Sequence, residues 1–270
     1  MGHMSEPSSP VAFVTGAGRG IGAATARRLA ADGFAVACVD ICADDPALGY
    51  SLSTRALLDS VVEDCRQQGV AAAAFEADTR DQVALDAAAA GCVEQFGGLD
   101  VAVAAAGIMS GGAVSWKMTD EAWNANIDVN LTGVWRTAKA TIGHMMRQPA
   151  PRRGRFVAIA SAAGMRGHPT ISAYVAAKHG VIGLVRSLAT ELGTSGITAN
   201  AICPGSTDSG ILQASRDVYG LASIDEFAVH HPIGRILRPE EIASGIAWLC
   251  AEEQSGVTGI SLPVDGGMTI

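Results

Sequence analysis

Short runs of adjacent apolar residues alternate along the chain with longer stretches in which apolar positions recur every three or four residues. The runs at 11–15, 34–40, 70–77, 99–105, 155–160, 198–202 and 258–264 are apolar at neighbouring positions and so predict strands covered on both faces. Helices are predicted between them over 23–32, 55–68, 82–96, 122–147, 173–192 and 239–250, with Gly33, Gly69, Gly97 and Gly193 as stops. Strands that take turns with helices build a parallel sheet with helices on both faces, and such α/β sheets bind ligands at the carboxyl ends of their strands. The expected fold is a doubly wound parallel sheet of about seven strands. No repeat or linker interrupts it, so a single domain is expected over 11–270. Residues 1–10 are read as a tag or disordered tail, with Met1-Gly2-His3 ahead of Met4 as an expression scar.

Composition narrows the possibilities. With 270 residues, 49% of them hydrophobic and 17% charged, the chain can bury a large core and lacks the composition of a disordered protein. Nineteen Lys and Arg against 27 Asp and Glu give a net charge of −8, and the one basic cluster is Arg152-Arg153-Gly154-Arg155 in a loop. Nucleic acid and anionic membrane surfaces are therefore excluded as expected partners. No apolar run reaches the ~18 residues of a membrane span. The six cysteines show no C-x-x-C pair and no metal-ligand spacing, so no metal site is expected; the thiols are read as reduced and the location as cytoplasmic.

Candidate chemistry begins at Thr15-Gly16-Ala17-Gly18-Arg19-Gly20-Ile21-Gly22, between the first strand and the first helix. Glycines let a backbone turn sharply and approach a pyrophosphate, and a helix N-terminus offers free N–H groups to it. The pattern is T-G-x-x-x-G-x-G, since Ile21 stands where the G-x-G-x-x-G fingerprint has its last glycine. Asp40, at the end of the second strand, is placed to accept hydrogen bonds from both ribose hydroxyls of adenosine and to repel the extra phosphate of NADP, which points to NAD. Asp78, at the end of the third strand, is placed to meet the adenine amino group, or is a turn residue.

Tyr174 and Lys178 lie one turn apart on a predicted helix face, after Ser161 at a strand end and Asn130 in the long preceding helix. Reducing a ketone needs a proton donor for the developing alkoxide, and oxidising an alcohol needs a base. A free tyrosine, with a pKa of ~10, is a poor base near neutrality. A nearby Lys⁺ favours the phenolate, and a shift of ~3 units corresponds to ~4 kcal/mol, within reach of a partly buried charge pair aided by a cationic nicotinamide. In this reading Ser161 holds the substrate oxygen and Asn130 anchors a water behind Lys178.

In order and in place, Thr15-Gly16-x3-Gly20-x-Gly22, Asn130, Ser161, Tyr174, Lys178 and Pro204-Gly205 resemble the short-chain dehydrogenase/reductase family over nearly the whole chain from Val11. The resemblance implies a seven-stranded Rossmann-type sheet and a homotetramer. It implies cofactor contacts at Gly16, Gly18, Arg19, Gly20, Ile21, Gly22, Asp40, Ile41, Asp78, Thr79, Ala105, Gly107, Tyr174, Lys178, Pro204, Gly205 and Thr207, the segment 204–207 holding the nicotinamide amide. The family's Asn-Asn-Ala-Gly is Ala104-Ala105-Ala106-Gly107 here, so an inter-strand brace of amide side chains is expected to be missing. The stretches Asp40-Ile-Cys-Ala43, Tyr50-Ser-Leu-Ser-Thr54 and Pro149–Arg155 are similar to the mycofactocin-coupled branch, in which the nicotinamide does not exchange and electrons pass to a peptide-derived carrier. The insert after Asp40 is then a cover over the cofactor.

The segments 109–117, 162–170 and 208–232 are expected to overhang the nicotinamide, with Met109, Trp116, Met165, His168, Ile211, Leu212, Tyr219, Leu221 and Phe227 making an apolar wall suited to a hydrophobic alcohol or ketone. His144, His179, His230 and His231 are read as surface or packing residues. The competing functions are a reductase with freely exchanging NAD(P)H, such as a ketoacyl reductase, and a silent nucleotide-sensing regulator. Asp40 argues against the first, and the presence of both Tyr174 and Lys178 against the second.

Overall fold

The computed structural model describes residues 9–270; the reading of Met1 to Met4 as a scar lies outside the described residues. Contacts begin at Pro10, whose carbonyl accepts a hydrogen bond from Ala35 N–H, so the disordered tail expected through residue 10 does not extend to that position.

Seven parallel strands form one sheet: β1 (Val11–Thr15), β2 (Ala35–Asp40), β3 (Ala72–Glu76), β4 (Val101–Ala104), β5 (Arg155–Ile159), β6 (Thr198–Pro204) and β7 (Ser261–Val264). Their spatial order is β3-β2-β1-β4-β5-β6-β7. Successive side chains point to opposite faces, and both faces are apolar. Phe13 and Phe156 bury against α3 (Gln82–Phe96), α5 (Gly133–Arg147) and α6 (Ser172–Leu192). Val14 and Ile202 bury on the other side against α1 (Gly20–Ala31), α2 (Arg55–Arg66) and α8 (Pro239–Cys250). The strand order reverses direction of travel between β1 and β4, which leaves a crevice at their carboxyl ends.

Two predicted stretches differ in substance. The helix expected over 122–147 is α4 (Asp120–Ile127), a wide π turn at Asp128–Thr132, and then α5. Periodicity sees one helix because the backbone stays helical throughout; Asn130 lies in the wide turn and Asn126 one turn before it, and both are fully buried. The stretch expected as an overhanging segment contains a true helix, α7 (Gly210–Tyr219). Ser209 caps it, accepting from Leu212 N–H, and Gly220 ends it with φ of 65°. Among the described residues no helix is long and apolar enough to cross a membrane.

Candidate active site

A cavity of about 540 Å³ runs along the carboxyl ends of β1, β2, β4, β5 and β6, from the glycine turn to Tyr174. Two glycines of the turn are required by close approach. A Cβ on Gly16 (φ 64°) would stand 2.7 Å from Ala106 Cα, and one on Gly22 would stand 2.0 Å from the Gly16 carbonyl oxygen. No side chain caps the start of α1 and no acidic residue lies in its first turn, so its free N–H groups face the cavity beside Gly20 and Ile21. Glycine backbone plus an uncapped helix N-terminus fits a pyrophosphate.

Gly16, Arg19, Gly20, Ile21, Gly22, Asp40, Ile41, Asp78, Thr79, Ala105, Gly107, Ser161, Tyr174, Lys178, Pro204, Gly205 and Thr207 all line this cavity; Gly18 and Asn130 do not. Asp40 is buried, with Oδ2 accepting from Gly18 N–H (2.9 Å) and Oδ1 from Cys42 N–H (3.3 Å). A carboxylate has about four acceptor positions, so capacity remains toward the cavity. Gly18 instead makes room for the segment after β2: a Cβ there would lie 1.9 Å from Ser53 Oγ. Asp78 borders the cavity, but its carboxylate is engaged by Arg80 at 2.7 Å, which favours its reading as a turn and ion-pair residue over an adenine contact.

At the other end, β5 delivers Ser161 and the first turns of α6 deliver Tyr174 and Lys178. Ser161 Oγ accepts from Ala163 N–H (3.1 Å), and its hydroxyl faces the Tyr174 phenol. Tyr174 and Lys178 are both buried. Burial pushes the Tyr174 phenol up to about 12, with Ser161 opposing the shift, and pushes the Lys178 ammonium down to about 8. The expected depression of the phenol by Lys178 is not present in the protein alone. Lys178 Nζ donates to the Ile159 carbonyl (2.8 Å) and sits 5.6 Å from the Tyr174 ring centre, and burial dominates the phenol's shift.

Asn130 does not reach Lys178 through its side chain. Its amide nitrogen donates to the Ile108 carbonyl and to Asn126 Oδ1, and its oxygen accepts from Ile108 N–H, so the side chain braces the loop after β4. The missing inter-strand brace has a substitute: Thr15 Oγ1 accepts from Ala105 N–H (3.1 Å) and Ala106 N–H (3.4 Å).

The segment 41–54 crosses the cavity as a strap. It starts at Cys42, held at φ of 53°. Buried Asp45 pairs with Arg80 at 2.6 Å, and Arg19 donates to the Ser51 carbonyl (2.6 Å) while its guanidinium lies 5.8 Å from the Tyr50 ring centre. Tyr50 reaches the far side, where its hydroxyl accepts from Met109 N–H (2.8 Å) in the cluster around Tyr174 and Ile171. Tyr50, Asp45, Arg80 and Ser53 were missed as site residues by sequence reasoning. The aromatic tip of the insert was the available signal.

On the substrate side Met109, His168, Ile211, Leu212, Tyr219, Leu221 and Phe227 line the cavity, joined by His230 and Met268. Trp116 and Met165 are exposed and stand outside it. Arg166 borders the cavity with Nη1 donating to the Met268 carbonyl, and Arg216 pairs with Asp217.

A sheet of this order, a glycine turn at its reversal point and a Ser-Tyr-Lys set at the end of β5 and start of α6 define a class. The chain belongs to the short-chain dehydrogenase/reductase family, a group of oxidoreductases. A family profile described as Enoyl-(Acyl carrier protein) reductase matches residues 16–269. The (-)-trans-carveol dehydrogenase of Rhodococcus erythropolis is 35% identical over 281 residues, covering 99% of this chain and 100% of its own. Carveol dehydrogenase from Mycobacterium avium in complex with NAD superposes with a TM-score of 0.91 at 34% identity, over 96% of this chain and 97% of that one. Actinorhodin polyketide ketoreductase with NADPH gives 0.87 at 34% identity, over 98% and 99%.

Proposed function

We propose that this protein transfers a hydride between NAD and a hydrophobic alcohol or ketone. The observation that carries the reading is a buried phenol and ammonium one helical turn apart, at one end of a continuous cavity whose other end is the glycine turn and Asp40. NAD, when bound, exchanges the hydride with the substrate carbon and brings a positively charged ring to this end of the site. The turn from Gly16 to Gly22 would hold the pyrophosphate, Asp40 and Ile41 the adenosine ribose, and Ala105, Gly107, Lys178, Pro204, Gly205 and Thr207 the nicotinamide half.

In reduction, the Tyr174 hydroxyl donates its proton to the developing alkoxide while the neighbouring Ser161 hydroxyl turns to donate to the same oxygen. In oxidation the phenolate of the same residue, its charge stabilised by the Lys178 ammonium, removes the proton and becomes the neutral phenol. The neutral phenol is the resting form, since burial holds its pKa near 12, so reduction starts from the populated state. Oxidation needs the phenolate, so its rate is expected to rise with pH across the alkaline range.

The strap supports a retained cofactor: an ion pair, a cation–ring contact and the Tyr50 hydroxyl close it over the cavity. In this reading electrons leave to an external acceptor of the mycofactocin type, and the protein is a cytoplasmic homotetramer with one domain over 11–270. A second reading, a reductase with freely exchanging NAD(P)H such as a ketoacyl reductase, is favoured by the likeness to the NADPH-bound ketoreductase. The buried Asp40 carboxylate opposes a 2′-phosphate.

Replacing Tyr174 by Phe is expected to lower turnover by at least about a hundredfold while leaving NAD affinity within a few-fold, measured by steady-state kinetics and cofactor titration. Surviving turnover would remove Tyr174 from its role. Extensive dialysis followed by nucleotide analysis separates the two cofactor regimes. Retained NAD that turns over only with an added electron acceptor supports the strap, whereas empty protein working briskly on free NAD rejects it.

A further inference from the structure

His231 follows the helical turn Ile224–His230, which carries Phe227 and His230 into the substrate side of the cavity. Its ring is buried, and Nε2 lies 3.2 Å from the backbone N–H of Ser206, in the segment that follows β6. That nitrogen must therefore accept, so the ring is neutral with its hydrogen on Nδ1. Two glycines make room for it. A Cβ on Gly205 would stand 2.6 Å from His231 Cε1, and one on Gly266 would stand 2.9 Å from Nδ1. The ring thus joins the wall of the substrate side to Gly205-Ser206-Thr207, which itself lines the cavity.

We propose that His231 is a positioning residue for the reaction, its neutral imidazole fixing the Ser206 amide and hence the chain from Pro204 to Thr207, with protonation releasing that contact. The proposal rests on the reading that this segment borders the nicotinamide. A protonated ring would present N–H to N–H at Ser206, and the buried amide would lose its acceptor.

The groups that face the imidazole are few. Asp265 favours the cation through its backbone and its carboxylate, but that carboxylate already accepts from Gly267 N–H and Thr269 N–H. Nδ1 is buried and forms no well-aligned hydrogen bond, the Asp265 backbone being the acceptor nearest to serving it. His230 and Arg166 oppose a further positive charge. Burial is the largest influence, and it holds the His231 pKa below the ordinary 6.5. The contact is therefore intact at neutral pH and fails only as the medium becomes acidic.

The test compares wild type with His231→Gln, whose side-chain oxygen reaches the Nε2 position and accepts without titrating, and with His231→Phe, which fills the space without an acceptor. Wild type is expected to lose kcat/KM and NAD affinity below a midpoint under pH 6.5, with hydrogen exchange at the Ser206 amide accelerating beyond its intrinsic pH dependence over the same interval. The Gln variant should keep neutral-pH kcat/KM within a few-fold and lose that acid limb. The Phe variant should fall by about ten- to a hundredfold at every pH, the effect of a buried donor left unpaired. Identical acid limbs in wild type and the Gln variant, or Ser206 exchange indifferent to the substitution, would overturn the proposal. A failure of the underlying reading would show itself separately, as turnover that survives Tyr174→Phe.

Discussion

Lys178 carries a positive charge in a place that resists it. Its ammonium is buried, its one strong acceptor is the Ile159 carbonyl, and burial holds its pKa near 8 instead of 10.5. In the unfolded chain the same group is protonated up to about pH 10.5. Folding is therefore penalised below about pH 8, and the penalty fades as pH rises through that window. Lys178→Met, tested without cofactor by chemical denaturation, should be more stable than wild type at pH 7, and the gap should close toward pH 10.5. A gap of constant size would mean that the ammonium is not strained. At this scale the sequence was legible where function sets residue type and spacing: Ser161, Tyr174, Lys178 and Asp40 all border one cavity. It was not legible for the side-chain partners of Asn130 and Asp78, the Ile108 backbone and Arg80, because no local pattern announces a π turn or that ion pair.

The strap and α7 are elements whose roles depend on what lies across from them. The strap has little secondary structure of its own and is held by discrete side-chain ties, so its stability can be reduced without touching the sheet. Asp45→Ala combined with Tyr50→Phe is expected to raise the NAD dissociation rate about ten- to a hundredfold, the effect of losing one charge-assisted hydrogen bond and the ordinary ones from Ala47 and Met109 N–H. Stopped-flow displacement would read it, and an unchanged rate would mean that retention, where observed, comes from the glycine turn alone. The strap's existence could be read from the long interval between Asp40 and the next helix, but not the reach of Tyr50 to Met109, which depends on a long-range fold. The helix α7 had its cues in plain view, Ser209 before it and Gly220 after it, yet its apolar residues served equally well as a cavity wall and drew the reading toward a loop.

For the molecule as a whole, the fold was the most legible part, because strands apolar on consecutive positions demand cover on both faces and so fix a two-sided core. Ligand binding then couples to the stability of that whole. At about 1,000 times its dissociation constant, NAD should stabilise stripped protein by about 4 kcal/mol, which for a chain of this size is roughly 10 °C in Tm. Scanning calorimetry should show this with NAD and little of it with NADP. Asp40→Asn, which keeps an acceptor for Gly18 N–H, should narrow the difference between the two. A strap that stays shut through the catalytic cycle has a kinetic corollary. Alcohol and electron acceptor must then enter in succession on the substrate side, where His168, Leu221 and His230 line the cavity, each gone before the next arrives. Double-reciprocal plots at varied acceptor should run parallel, and a poor acceptor crowding that entrance should compete with the alcohol itself.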